Sequence, residues 1–170
     1  MTDRKLSLIS KELATVLLTQ LAHELKNYNL YMSFANYFGT EAIVDLECYY
    51  KHRAKEELEH HQWIMNYLSE ADVKFTYPAI EKNSELFNDY VAPFIQTVER
   101  EILTTQMIYD IYSQAESDKD YMTCSWLYKL LIPEQVEEEN ISRMARKIME
   151  EEDADIFIRA HKVLELIRNK

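Results

Sequence analysis

Apolar residues recur along most of this chain in alternating steps of three and four, the period of one face of an α-helix. The first such stripe is Ala14, Leu17, Leu21, Glu24, Tyr28, Tyr31, Ala35, Phe38, and it predicts a helix over about 10–38. Gly39 is read as its end and Thr40 as the N-cap of the next helix, about 41–70. That helix carries Ile43, Leu46, Tyr50, Arg53, Glu57, His60, Ile64 and Tyr67 on one face. Periodicity lapses over 71–88, which contains Pro78, and this stretch reads as a long connection. A crossover between parallel helices of a bundle gives such a connection a reason. A third stripe, Phe94, Val98, Glu101, Thr105, Ile108, Tyr112, Ala115, predicts a helix over 89–116, with Pro93 tolerable near its start. After the turn "SDKD", a fourth helix runs over 119–149 and kinks at Pro133. A short amphipathic helix over 154–167 closes the chain. The pattern is two helical hairpins joined by a crossover, plus a terminal helix, in a single all-α domain spanning 1–170.

Composition supports this reading. The 170 residues contain one glycine and three prolines, and 47% are hydrophobic. Helix formers dominate, and β-turn residues are scarce. No apolar run is long enough to span a membrane, and the first ten residues do not resemble a secretory signal. The formal net charge of −11 disfavours nucleic acid and anionic membranes as partners and is compatible with cationic ones, metal ions included. Cys48 and Cys124 stand singly, as reduced thiols of a cytoplasmic protein would.

The chemistry lies in charges that interrupt the apolar stripes. Glu24, Glu57 and Glu101 each take a position where an apolar residue is expected, and the fourth helix places Gln135 and Glu138 on its inward side. Carboxylates in a bundle core are costly unless paired, protonated or bound to metal. Counted from their hairpin turns, Glu24, Glu57, Glu101 and Glu138 all lie roughly 22–30 Å away at the helical rise. With both turns at one end of the bundle, they meet His60 in one layer. Such a set is too acidic for a structural zinc site, and it lacks the loop of an EF-hand. Glu-x-x-His on one helix with carboxylates from the other three is the di-iron carboxylate pattern. His23, His52, His61 and His161 lack such company and are read as surface residues.

The segments "HELKNYNLY", "EELEH", "EREIL" and "EQVEEE" together resemble the ferritin family, specifically its bacterial non-haem type, and the resemblance runs over essentially the whole chain. It implies a ferritin-like four-helix bundle with a long crossover between the second and third helices and a short C-terminal fifth helix. It also implies a homo-oligomeric shell of 24 subunits that oxidises Fe(II) with O₂ at an intra-subunit dinuclear ferroxidase centre and stores ferric mineral. Carried over by position, Glu24, Glu57 and His60 would hold the first iron, Glu57 would bridge, and Glu101 and Glu138 would complete the second. Gln135 would hydrogen-bond nearby, and Tyr31 would orient a ligand or supply an electron. Glu56, Glu134 and Glu137 match a third iron site. Leu58 stands where the similar bacterioferritins carry a haem-binding methionine, so no haem is expected. Two readings compete: a dodecameric DNA-protecting relative, and a non-catalytic helical scaffold whose glutamates are solvated.

Overall fold

A computed structural model describes residues 7–82 and 87–168. Among them the secondary structure is helical: α1 (Lys11–Thr40), α2 (Val44–Glu70), α3 (Ala92–Ser117), α4 (Tyr121–Lys129), α5 (Leu131–Met149) and α6 (Ile156–Arg168). α4 and α5 follow one another as the fourth arm of a four-helix bundle. The stretch expected to cross over, 71–88, contains no helix where it is described; its residues 83–86, like 1–6 and 169–170, lie outside the described residues.

Local chemistry sets three of the helix starts. Ser10 caps α1 by accepting from the Leu13 amide at 3.0 Å, and Asp120 caps α4 through the Thr123 amide at 3.1 Å. Pro93 sits in the first turn of α3, where its missing N–H costs nothing.

Three ends differ from the sequence reading. Gly39 does not terminate α1: the helix runs on to Thr40, whose hydroxyl donates back to the Tyr37 carbonyl instead of capping α2. A Cβ at Gly39 would lie 3.0 Å from the Glu47 carboxylate, so a larger residue there would require that flexible side chain to shift. The left-handed turn residue is Ala42, at φ 58°. Ala42→Gly removes that strain and is expected to stabilise the protein by about 1 kcal/mol, read as a raised urea midpoint.

In the fourth arm the break falls at Leu130, three residues before Pro133. Proline has no N–H to offer the carbonyl four residues earlier, on Lys129, and its ring crowds that carbonyl. The helix therefore parts where the lost bond would have been.

The two hairpin turns lie at opposite ends of the bundle, not at the same end. One apolar cluster gathers Phe38, Ile43, Phe94, Met149 and Val163, which places the α1–α2 turn beside the start of α3, the end of α5 and α6. The other gathers Leu13, Leu68, Ala115 and Cys124 around the α3–α4 turn. There Ser10 donates to Asp118, tying the start of α1 to that turn. A crossover that returns along the bundle makes α2 and α3 parallel, and this puts the two hairpin turns at opposite ends. The carboxylates still meet because each sits near the middle of its arm.

His61, expected at the surface, is buried and secures the crossover. Its Nδ1 donates to the Leu21 carbonyl at 2.9 Å, which leaves Nε2 to accept from the Tyr77 hydroxyl. His52 and His161 are partly and largely exposed, beside Glu56 and Asp45.

Candidate metal centre

The two apolar clusters are separated by a layer of buried polar side chains at mid-height. Glu24 and Glu101 are fully buried, Glu57 and Glu138 are 1% exposed and His60 3%. The helices leave no choice here. Each carboxylate occupies an inward position of its helix, flanked one turn away by other buried polar side chains: Gln20 and Asn27 beside Glu24, Arg53 and His60 beside Glu57, Thr97 and Thr104 beside Glu101, Gln135 and Ser142 beside Glu138.

Ligand atoms of Glu24, Glu57 and His60 lie within 4.8 Å of one another, as do those of Glu57, Glu101 and Glu138. Glu57 belongs to both sets and stands between them. A third set joins His60 and Glu138 to Glu134. Among the described residues no such set contains Glu56, Glu134 and Glu137 together: Glu56 turns to Arg53, at 2.9 Å, and Glu137 is exposed.

Several donors hold these carboxylates in place. Tyr31 donates to Glu101 Oε1 at 2.6 Å, and the Gln135 amide donates to Glu101 Oε2 at 2.9 Å and to the Glu101 carbonyl at 3.2 Å. Gln20 donates to Glu24 Oε1 at 2.5 Å, and Asn27 to Glu57 Oε2 at 3.3 Å. Glu24 Oε2 and both oxygens of Glu138 are buried and accept no hydrogen bond. Buried oxygens left without donors suit a cation, and the mixed carboxylate–imidazole set suits a hard to borderline divalent ion such as iron.

The electrostatics agree. Burial, then the neighbouring Glu101 and Glu24 charges, push the Glu57 carboxyl well above the usual range. Burial pushes Glu138 up to about 8, with His60 and Arg53 opposing it. Burial alone would lower His60, but Glu138, Glu24 and Glu101 reverse this and raise it. Tyr31 is driven well above its ordinary value by burial and by Glu101, so it remains a hydrogen-bond donor.

Residues that the sequence did not single out complete the layer. Arg53 is fully buried, and its guanidinium reaches Glu101 Oε1 at 2.7 Å, Glu56 at 2.9 Å and Glu138 Oε1 at 3.7 Å. It was visible as an odd member of the α2 stripe, one turn before Glu57. His23, expected at the surface, is buried: Arg100 lies 3.1 Å from its Nδ1, and Thr104 2.8 Å from its Nε2. Because Arg100 can only donate, Nδ1 accepts and Nε2–H donates to Thr104. The same Arg100 donates to Asn27 Oδ1 at 2.8 Å, so a hydrogen-bonded chain runs from His23 through Arg100 and Asn27 to Glu57. Gln20 and Asn27 lie four residues before and three after Glu24, the inward spacing that could have marked them.

The comparisons with known proteins follow the same architecture. Residues 14–150 match the ferritin-like domain family. The chain is 31% identical over 134 residues to the bacterial non-heme ferritin of Staphylococcus aureus strain USA300, covering 79% of this chain and 80% of that protein. It is equally similar, over 133 residues, to that of Staphylococcus epidermidis, covering 78% and 80%. Among solved structures, the open pore ferritin of the hyperthermophilic archaeon Archaeoglobus fulgidus superposes with a TM-score of 0.83 at 23% identity, covering 92% of this chain and 98% of that one. The expected helical bundle with its crossover and short last helix is thus a known fold, and the chain belongs to the ferritin-like family.

Proposed function

We propose that this protein takes up Fe(II), oxidises it with O₂ at the buried centre and stores the ferric product inside a homo-oligomeric shell, in the 24-subunit arrangement. The observation that carries the reading is the pair of ligand sets sharing Glu57, with oxygens on Glu24 and Glu138 that accept no hydrogen bond. Iron storage is what the names of the staphylococcal relatives suggest. On this reading Glu24 and His60 hold one Fe(II), Glu101 and Glu138 hold the other, and Glu57 lies between.

The iron ions supply the electrons, O₂ accepts them, and hydrolysis of the ferric product releases protons. The protein's part is placement and charge. Anionic oxygens favour the harder Fe(III) over Fe(II), which lowers the cost of oxidation. Tyr31 and Gln135 fix Glu101 from both of its oxygens, so one side of the centre is rigid before iron arrives. Asn27 steadies the bridging Glu57. Glu134, near His60 and Glu138, offers a carboxylate through which iron leaves the centre or a third ion binds, with Glu56 and Glu137 on the same two helices. No described helix is long and apolar enough to cross a membrane, which is compatible with a cytoplasmic protein.

The test uses the assembled protein, sized by light scattering and then mixed with Fe(II) under air. Ferric absorbance should rise well ahead of the buffer reaction with matching O₂ uptake, from a particle of 24 subunits. Oxidation no faster than in buffer would leave a helical scaffold, and a stable dodecamer would point to the smaller DNA-protecting type.

A further inference from the structure

The two halves of the centre are not equivalent. At the first, no cationic side chain among the described residues donates to either carboxylate: Glu24 and Glu57 lie against each other and accept from the neutral amides of Gln20 and Asn27. At the second, a cation is already present. The Arg53 guanidinium is fully buried between the carboxylates that would bind the second ion, 2.7 Å from Glu101 and 3.7 Å from Glu138. It also lies 3.4 Å from the Ser142 hydroxyl and 5.9 Å above the Tyr31 ring. Glu101 Oε1 is shared between Arg53 and Tyr31, and its Oε2 is taken by Gln135. Both acceptor sites of Oε1 are therefore filled, and a metal reaching that oxygen must displace Arg53 or Tyr31, while Oε2 keeps one lone pair beside Gln135.

Charge points the same way. With ionised carboxylates and neutral His60, Glu24, Glu57, Glu101 and Glu138 balance two divalent ions. Arg53 adds a buried positive charge, so against these four carboxylates one divalent ion leaves the layer slightly negative, and two make it positive unless the guanidinium takes its charge to Glu56. A guanidinium fixed by several carboxylates is costly to move, because its bonds are charge-assisted and its alternative is an unpaired buried charge. The route out is defined: Glu56 holds the other arm of the fork at 2.9 Å, and its side chain is 14% exposed.

We propose that Arg53 is a resident counter-cation of the second half-site, so that one divalent ion binds readily at Glu24, Glu57 and His60, and a second enters only by displacing the Arg53 guanidinium from Glu101 and Glu138 toward Glu56. The inference rests on the metal-centre reading above and adds an order of filling to it. Iron uptake then becomes sequential. The second ion, needed for a paired oxidation, is admitted only when Fe(II) is plentiful enough to displace the arginine.

The test reads positions rather than activity. Crystals of the assembled protein are equilibrated with graded Zn(II), which is not oxidised, and occupancies are measured by anomalous scattering at the zinc edge. In the wild type, the first position should fill at a Zn(II) concentration at least about tenfold below the second, the effect of losing one charge-assisted contact. Arg53 should remain on Glu101 until the second ion appears. In Arg53→Gln the two should fill together. Simultaneous filling in the wild type overturns the inference without needing any variant, as does a gap that persists in a folded Arg53→Gln protein. If zinc enters neither position, the metal-centre reading itself fails and the inference goes with it.

Discussion

Glu57→Gln is expected to make the metal-free protein more stable by about 2 kcal/mol while lowering the rate of Fe(II) oxidation at least about 100-fold. Both effects have the same origin. Glu57 is buried among Glu24, Glu101 and Glu138, and its raised pKa records how strongly the folded state resists its charge. Glutamine has the same shape. Its carbonyl can accept from Asn27, and its amide can donate to Glu24, so the packing survives and the repulsion goes. The amide is a poor metal ligand and cannot bridge two cations as a carboxylate does, so the shared position of the two ligand sets is lost. For a chain of this length the stability gain corresponds to a rise in melting temperature of roughly 4–8 °C, measured in chelator. Adding Zn(II) should raise the melting temperature of the wild type far more than that of the variant, since binding stabilises only the state that binds. A variant that melts lower than wild type in chelator would show that the carboxylate is satisfied without metal. One that oxidises Fe(II) at the wild-type rate would remove Glu57 from the centre.

That trade-off explains why the centre could be read from sequence at all. A carboxylate on an apolar stripe breaks the pattern that folds the helix, so Glu24, Glu57 and Glu101 stand out against their neighbours. Their meeting followed from height alone, and it tolerated the wrong placement of the turns because all of them sit near mid-helix. What spacing does not show is which charges cancel within the layer. Arg53 lay on the same stripe as Glu57, but its partners Glu101 and Glu138 come from α3 and α5, and only the packed bundle shows that the guanidinium lies between them. His23 and His61 were missed for a related reason. Each is satisfied by a group remote in sequence, Thr104 and Arg100 for one, the Leu21 carbonyl and Tyr77 for the other. A buried histidine whose partners lie elsewhere in the chain leaves no periodic trace beyond a polar residue on a helix flank. The position of the break in the fourth arm was a matter of hydrogen-bond arithmetic: a proline removes the bond to the residue four before it, so the helix parts at Leu130 rather than at Pro133.

The opposed titrations in this layer give the metal-free protein an unusual acid limb, and His23→Gln is expected to change it. Burial, with Arg100 and Lys26 nearby, lowers His23 to about 3, far below its unfolded value. Between those values the unfolded chain takes up a proton that the folded protein refuses. The stability His23 contributes is therefore intact above about pH 6.5 and is lost progressively as pH falls toward 3. Glu57 and Glu138 act in the opposite sense. Their folded values are raised, to about 8 for Glu138, so acidification through that range protonates them preferentially in the folded state and stabilises it. Metal-free wild type should thus gain stability from pH 8 down to 6.5 and then more slowly, as His23 begins to offset one of the two carboxyls. In His23→Gln the steeper rise should continue, and the gap between variant and wild type should change by about 2 kcal/mol in the variant's favour from pH 6.5 to 5. Urea denaturation in chelator across that range measures it. Parallel curves would mean that His23 takes its proton in the folded state. The hydrogen-bonded chain to Asn27 and Glu57 would then have to run through an imidazolium, with Arg100 turned away from its Nδ1.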